Sequence, residues 1–196
     1  MSGLAVAAGV RAQGYPSKPI RVIVGYTAGG AVDIVARAVS QQLQTSLGQP
    51  IVVENRPGAG TNIALRALID SPADGYTLML TANAIAANMS LYQPPPYDLA
   101  RDITPISLVG RVPVVLAVNA QSEYKTLGDL IAAAKAKPGS VNYASPGNGS
   151  TPHLAVELFE RASGISLTHV PYKGGAQAIT DVMGGHVLMV AVNALE

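Results

Sequence analysis

The order in which apolar patterns change period constrains this chain most. Residues 20–26 form a β-rich run, and residues 31–47 carry Ile34, Val35, Ala38, Val39, Leu43 and Leu47 at helical spacing. The exchange then repeats: 51–54 reads as a strand, 61–69 as a helix, and 76–80 as a strand entered by the turn dipeptide Asp74-Gly75. Strand followed by helix, repeated, predicts an α/β fold with a mostly parallel sheet. Gln93-Pro94-Pro95-Pro96 is a rigid surface connection, after which 106–109 and 113–119 open a second group of strands. A helix at 127–137 is stopped by Pro138-Gly139. A strand at 141–144 leads to a helix at 151–161, with Leu154, Ala155, Leu158 and Phe159 on one face. Strands at 165–170 and 187–192, joined by a helix at 176–183, complete the pattern. The expected organisation is a tail or signal remnant at 1–14, a first domain at 15–107 and a second at 108–196.

Composition narrows the function. Against 13 Lys and Arg stand 12 Asp and Glu, a net charge of +1, so the chain has no basic surface with which to track phosphates and nucleic acid is not an expected partner. With no Cys there is no thiolate nucleophile and no Cys-ligated metal site. The apolar stretch at 4–10, followed by Val10-Arg11-Ala12, looks like the end of a signal-peptide core and its cleavage region. It is too short to cross a bilayer, and no later segment qualifies either. The expectation is a protein that works in the periplasm without spanning the membrane.

Two glycine-rich turns offer anion chemistry. Gly25-Tyr26-Thr27-Ala28-Gly29-Gly30 joins a strand to a helix, where glycines let a ligand approach the backbone and the helix N–H groups attract negative charge. Asp33, in the first helical turn, reads as a complement to the dipole and a partner for orphan donors rather than a ligand contact. The second turn, Ser145-Pro146-Gly147-Asn148-Gly149-Ser150-Thr151, sits in the same context, with Thr151 expected as cap and Pro152 as first helical residue. Ligands of open parallel sheets bind outside the carboxyl ends of the strands, so a cleft between two such turns would grip a small anion from both sides. Arg56 reads as a counter-ion or as a solvated charge. Pro171-Tyr172-Lys173-Gly174-Gly175 places a ring, a cation and two glycines before a helix. His153, His169 and His186 are separated along the chain, lack metal-site spacing and read as structural or surface residues. Gly25-Tyr26-Thr27-Ala28-Gly29 is the threonine analogue of a nucleophile elbow, but no histidine is placed by sequence to serve as its base. Neither turn completes a nucleotide-binding motif, and no cofactor is expected.

At these same turns the chain resembles the Bug-type, or TctC-like, solute-binding proteins of tripartite tricarboxylate transporters. The matching segments run in order: Tyr15-Pro16-Ser17-Lys18-Pro19-Ile20, Ala28-Gly29-Gly30 with Asp33 and Ala36-Arg37, Val53-Glu54-Asn55-Arg56-Pro57-Gly58-Ala59-Gly60, Asp74-Gly75-Tyr76-Thr77-Leu78, Tyr97-Asp98, Lys135-Ala136-Lys137-Pro138-Gly139, the 147–154 loop, and His169-Val170-Pro171-Tyr172-Lys173-Gly174-Gly175 with Asp181. The resemblance implies a type 2 periplasmic-binding-protein architecture, two βα domains hinged around a cleft. It further implies capture of a small carboxylate and delivery to membrane permease subunits, without catalysis. Carried over from the family, the ligand contacts are Thr27, Ala28, Gly29 and Gly30 from the first turn, and Ser145, Gly147, Gly149, Ser150 and Thr151 from the second. Family members continue beyond this point, so the fold is expected to be incomplete at its C-terminal side, with apolar surface exposed there. Tyr26-Thr27, Leu188 and Val192 depart from the family pattern. Two other classes stay open: a hydrolase using Thr27 or a loop serine, and the ligand-sensing domain of a regulator, for which no DNA-binding segment precedes the fold.

Overall fold

The computed structural model describes residues 14–196; the stretch at 4–10 lies outside them. Strand β1 (Ile20–Val24) ends in the first glycine turn and feeds α1 (Ala31–Leu47), which Gly48 closes in a left-handed conformation with its N–H on the Gln44 carbonyl. After β2 (Ile51–Asn55), a single 3₁₀ turn at Ala59–Thr61 leads into α2 (Asn62–Ile69), then β3 (Thr77–Leu80). These strands form a parallel sheet in the order β2-β1-β3. The first strand made is the central one, so its Ile20, Ile23 and Val24 are fully buried. Val22, Val24 and Tyr26 pack with Ala36 of α1 on one face of that sheet.

Two short helices, α3 (Ala84–Leu91) and α4 (Leu99–Asp102), precede a second, four-stranded sheet. It is built from β4 (Val114–Val118), β5 (Asn142–Ser145), β6 (Thr168–Pro171) and β7 (Met189–Asn193), interleaved with α5 (Leu127–Ala136), α6 (Thr151–Ser163) and α7 (Gly175–Met183). The order is β4-β7-β5-β6, parallel except that β4 runs against β7. Strand β7 is covered on both faces: Met189 and Ala191 meet Leu130, Ala134 and Val156 of α5 and α6, whereas Val190 and Val192 meet Ala178 and Val182 of α7. A strand buried on both sides must be apolar at every position, as Met189-Val190-Ala191-Val192 is.

The structure corrects two expectations and adds one helix that the residue pattern did not announce. Residues 106–109 form no strand: this stretch has no neighbour to pair with, and Ile106 and Leu108 stand 79% and 70% exposed. Helix α3 has no amphipathic stripe to announce it, its apolar residues running right round a two-turn element. The cap of α6 is Ser150, whose hydroxyl accepts the His153 N–H, and this moves Thr151 and Pro152 one position into the helix. Beside β4 and β7 runs an open groove of about 670 Å³, lined mainly by apolar residues including Val115, Val118, Met183 and Val192. Among the described residues no helix is long and apolar enough to cross a membrane.

Candidate functional site

The carboxyl ends of β1 and β2 face those of β5 and β6, and the turns that follow them touch. The Thr27 N–H donates to the Lys173 carbonyl at 3.3 Å, and the Thr151 hydroxyl donates to Asn83 Oδ1 at 2.5 Å. Contact is so close that only glycine fits at Gly174, where a Cβ would stand 1.9 Å from Thr27 Oγ1. Between these contacts lies a cavity of about 180 Å³. Its walls come from both sheets: Gly25, Tyr26 and the 58–61 turn on one side, with Gly147, Asn148, Ser150 and the segment Pro171-Tyr172-Lys173 on the other. Among the described residues, Lys173 is the charged residue of that lining, and no acidic residue belongs to it. The larger groove beside β7 is lined mainly by apolar side chains, with the amides of Asn119, Gln121 and Asn193 and the acid Glu196 but no cation among its described lining, a poorer setting for an anion.

Each wall is held by its own polar network. Asp33, 3% exposed, accepts the Gly29 N–H at 3.0 Å, Arg37 Nε at 2.9 Å and Asn55 Nδ2 at 2.8 Å; Asn55 also donates to the Tyr26 carbonyl. Burial pushes the Asp33 pKa up, and the Arg37, Gly29 and Asn55 donors more than reverse this, leaving the carboxyl below its ordinary value. Asp33 thus braces the first turn. The 3₁₀ turn is strained, with Ala59 and Thr61 at positive φ of 47° and 75°, the latter a buried β-branched residue. Asn88, fully buried, holds it by donating to the Gly60 carbonyl and to Asn62 Oδ1, both at 2.7 Å. On the other wall the Tyr172 hydroxyl donates to Asp181, and that bond, with burial, raises the phenol to about 12.

Of the residues expected from sequence, Gly147 and Ser150 line the cavity. Ser145, Gly149 and Thr151 flank it in the same turn. Thr27, Ala28, Gly29 and Gly30 stand at the junction beside it, and their donors are largely engaged: Thr27 with Lys173, Gly29 with Asp33, Gly30 with the Thr27 carbonyl at 3.5 Å. Arg56 is paired with Glu54 at 2.6 Å, the solvated-charge alternative rather than a free counter-ion. Sequence reasoning passed over the 58–61 turn and Tyr92, although Asn55-Arg56-Pro57-Gly58-Ala59-Gly60 carried the glycine signal. It also kept the histidines apart. The fold instead stacks His153 on His169 with ring centres 4.2 Å apart, and sets His169 Nε2 2.6 Å from Ser145 Oγ. That serine–histidine contact is no nucleophilic pair for an outside substrate, because Ser145 is fully buried and its hydroxyl already accepts the Gly147 N–H. Thr27 Oγ1 is buried without a hydrogen-bond partner, hence without a base. Among the described residues no cluster of potential metal ligands occurs.

Comparison with known proteins places this geometry. The TctC family, the tripartite tricarboxylate transporter family receptors, matches residues 35–195. Protein BugT of Bordetella pertussis is 44% identical over 184 residues, 93% of this chain and 56% of BugT. An R. palustris protein solved with adipate superposes with a TM-score of 0.87 at 36% identity, covering 92% of this chain and 60% of that one. MatC from Rhodopseudomonas palustris with bound malate gives a TM-score of 0.83 at 28% identity, covering 91% and 61%. The fold is that of periplasmic binding proteins, and the chain spans about half the length of the curated relatives it matches.

Proposed function

Since this chain belongs to the TctC-like, Bug-type family of tripartite tricarboxylate transporter receptors, we propose that it is an extracytoplasmic solute-binding protein that captures a small carboxylate in the cavity between its two sheets. One observation carries the reading: a cavity closed by glycine turns from both sheets whose described lining holds one charged residue, Lys173, and no acid. Its volume equals roughly six waters at about 30 Å³ each, a size for a small organic acid. That two neighbours were solved with adipate and malate supports the carboxylate class.

In this proposal residues 15–107 form one domain and 108–196 the other, with the cavity between them. Gly147 and Ser150 touch the ligand. Thr27, Ala28, Gly29, Gly30, Ser145, Gly149 and Thr151 set the shape and closure of the turns around it. Closing the turns on the ligand would give membrane permease subunits in the periplasmic face a distinct shape to recognise. The protein binds and releases without chemistry, and it needs no cofactor.

The test is thermal unfolding of the 196-residue chain against malate, adipate, citrate and benzoate. A ligand of the native state at about 100 times its Kd stabilises by about 2.7 kcal/mol. At least one acid is expected to raise Tm in a saturable way, with the effect weakened about tenfold by Lys173→Gln. A cooperative transition that none of the four acids moves at millimolar concentration would refute the reading.

A further inference from the structure

The second turn is held from behind by a histidine pair that the carboxylate reading does not itself require. His153, in the first turn of α6, has a side chain only 15% exposed. Its Nδ1 accepts the Gly149 N–H at 3.2 Å. An imidazole nitrogen that accepts has no proton, so the ring proton sits on Nε2, which faces Glu157 Oε1 at 3.6 Å. Beneath it lies the His169 ring of β6, itself stacked on Tyr143 of β5 with ring centres 4.8 Å apart. His169 Nε2 reaches Ser145 Oγ, and Ser145 Oγ accepts the Gly147 N–H at 3.1 Å. The two rings thus fix both ends of the turn, Gly147 through Ser145 and Gly149 directly. Gly149 holds a positive φ of 73°.

We propose that His153 is a positioning residue for the anion-facing turn: its unprotonated Nδ1 holds the Gly149 N–H and so keeps Gly147 and Ser150 in their places on the cavity wall. The inference rests on the carboxylate reading for its effect on binding, and on the hydrogen bond alone for its effect on the turn. Protonating His153 sets a ring N–H against the Gly149 N–H, donor against donor, and the turn must open. The groups that face the pair are Glu157 and Glu160 from α6, which favour the proton, and Tyr143 and Ser145 from β5, which are neutral. Burial opposes the proton most strongly and keeps the His153 pKa below its ordinary value; burial and the His153 ring likewise disfavour a charge on His169. The turn is therefore set at neutral pH and loosens on the acid side of the ordinary histidine range.

The test follows the Gly149 amide by hydrogen exchange, alongside malate and adipate binding, from pH 7.5 to 4.5. In the native chain Gly149 is expected to be protected at pH 7.5 and, as His153 titrates, to lose at least tenfold more protection than the β1 amides lose. His153→Phe, which has no acceptor, is expected to lose that protection already at pH 7.5 and to weaken acid binding about tenfold, the worth of one hydrogen bond. His153→Asn, whose Oδ1 can take the place of Nδ1 and does not titrate, is expected to restore protection and remove the pH dependence. Gly149 protection that is the same in His153→Phe and the native chain, or indifferent to pH in the native chain, overturns the positioning role. Should Gly149 respond as expected while neither acid binds at any pH, the positioning role stands and the carboxylate reading falls.

Discussion

Replacing Asp33 by Asn keeps the shape of the side chain and removes one acceptor oxygen and the charge. The carboxylate serves three donors, the Gly29 N–H at 3.0 Å, Arg37 Nε at 2.9 Å and Asn55 Nδ2 at 2.8 Å. Bonds to a charged acceptor contribute roughly 1.5–3 kcal/mol each when buried. The Arg37 side chain is 53% exposed, so its share is about 1 kcal/mol or less. Asparagine can still accept through one oxygen, but its amide must then face a donor, either the Gly29 N–H and Arg37 or the Asn55 amide. A net cost of about 3 kcal/mol follows from one lost charged bond and one buried donor left facing another. For a chain of this length that is a fall in Tm of roughly 6–12 °C, at about 2–4 °C per kcal/mol. Urea unfolding at pH 7 measures it, with Arg37→Ala as the control expected to cost about 1 kcal/mol or less. A loss under about 1 kcal/mol for Asp33→Asn would refute the claim that this carboxylate braces the first turn.

Two further outcomes follow from the same structure. Burial and the neighbouring His153 hold His169 down at about 4 against an ordinary 6.5, so below pH 6.5 the unfolded chain takes up the proton first and stability falls with pH towards 4. Between pH 7 and 5 this amounts to about 2 kcal/mol in urea unfolding, and His169→Gln is expected to flatten that slope; an unchanged slope would show that the ring does not control it. Gly174→Ala places a methyl 1.9 Å from Thr27 Oγ1 and is expected to destabilise by about 1–3 kcal/mol, with partial recovery in the double variant Thr27→Ala, Gly174→Ala. Strict additivity of the two changes would mean that the turns do not meet there.

What could be read from the residues was what local periodicity encodes. Helix α1 occupies 31–47, the range that its apolar positions at helical spacing predict. The alternation of strand and helix, and the glycine turns after β1 and β5, were equally local signals. The antiparallel run of β4 was not, since direction is decided by β7, some seventy residues later, which lies between β4 and β5. The histidine stack escaped for the same reason: His153 on a helix and His169 on a strand meet only after β5 and β6 have paired in register, Tyr143 opposite His169. The 106–109 stretch misled because strand-like composition states a preference that only a partner strand can satisfy.

The placement of the strands also fixes an order of assembly. In the first sheet the central strand, β1, is the earliest to leave the ribosome, and β2 and β3 add to its two edges as they follow. In the second sheet the interior strand β7 comes last of the four described, so β4 has no neighbour among them until about seventy more residues have been synthesised. Closing so long a loop before any pairing is slow. Strands β1, β2 and β3 can thus pair during translation, while β4 and the pair β5-β6 wait with an open gap between them for β7. During that interval the unpaired edges of β4 and β5 are open to pairing with other chains.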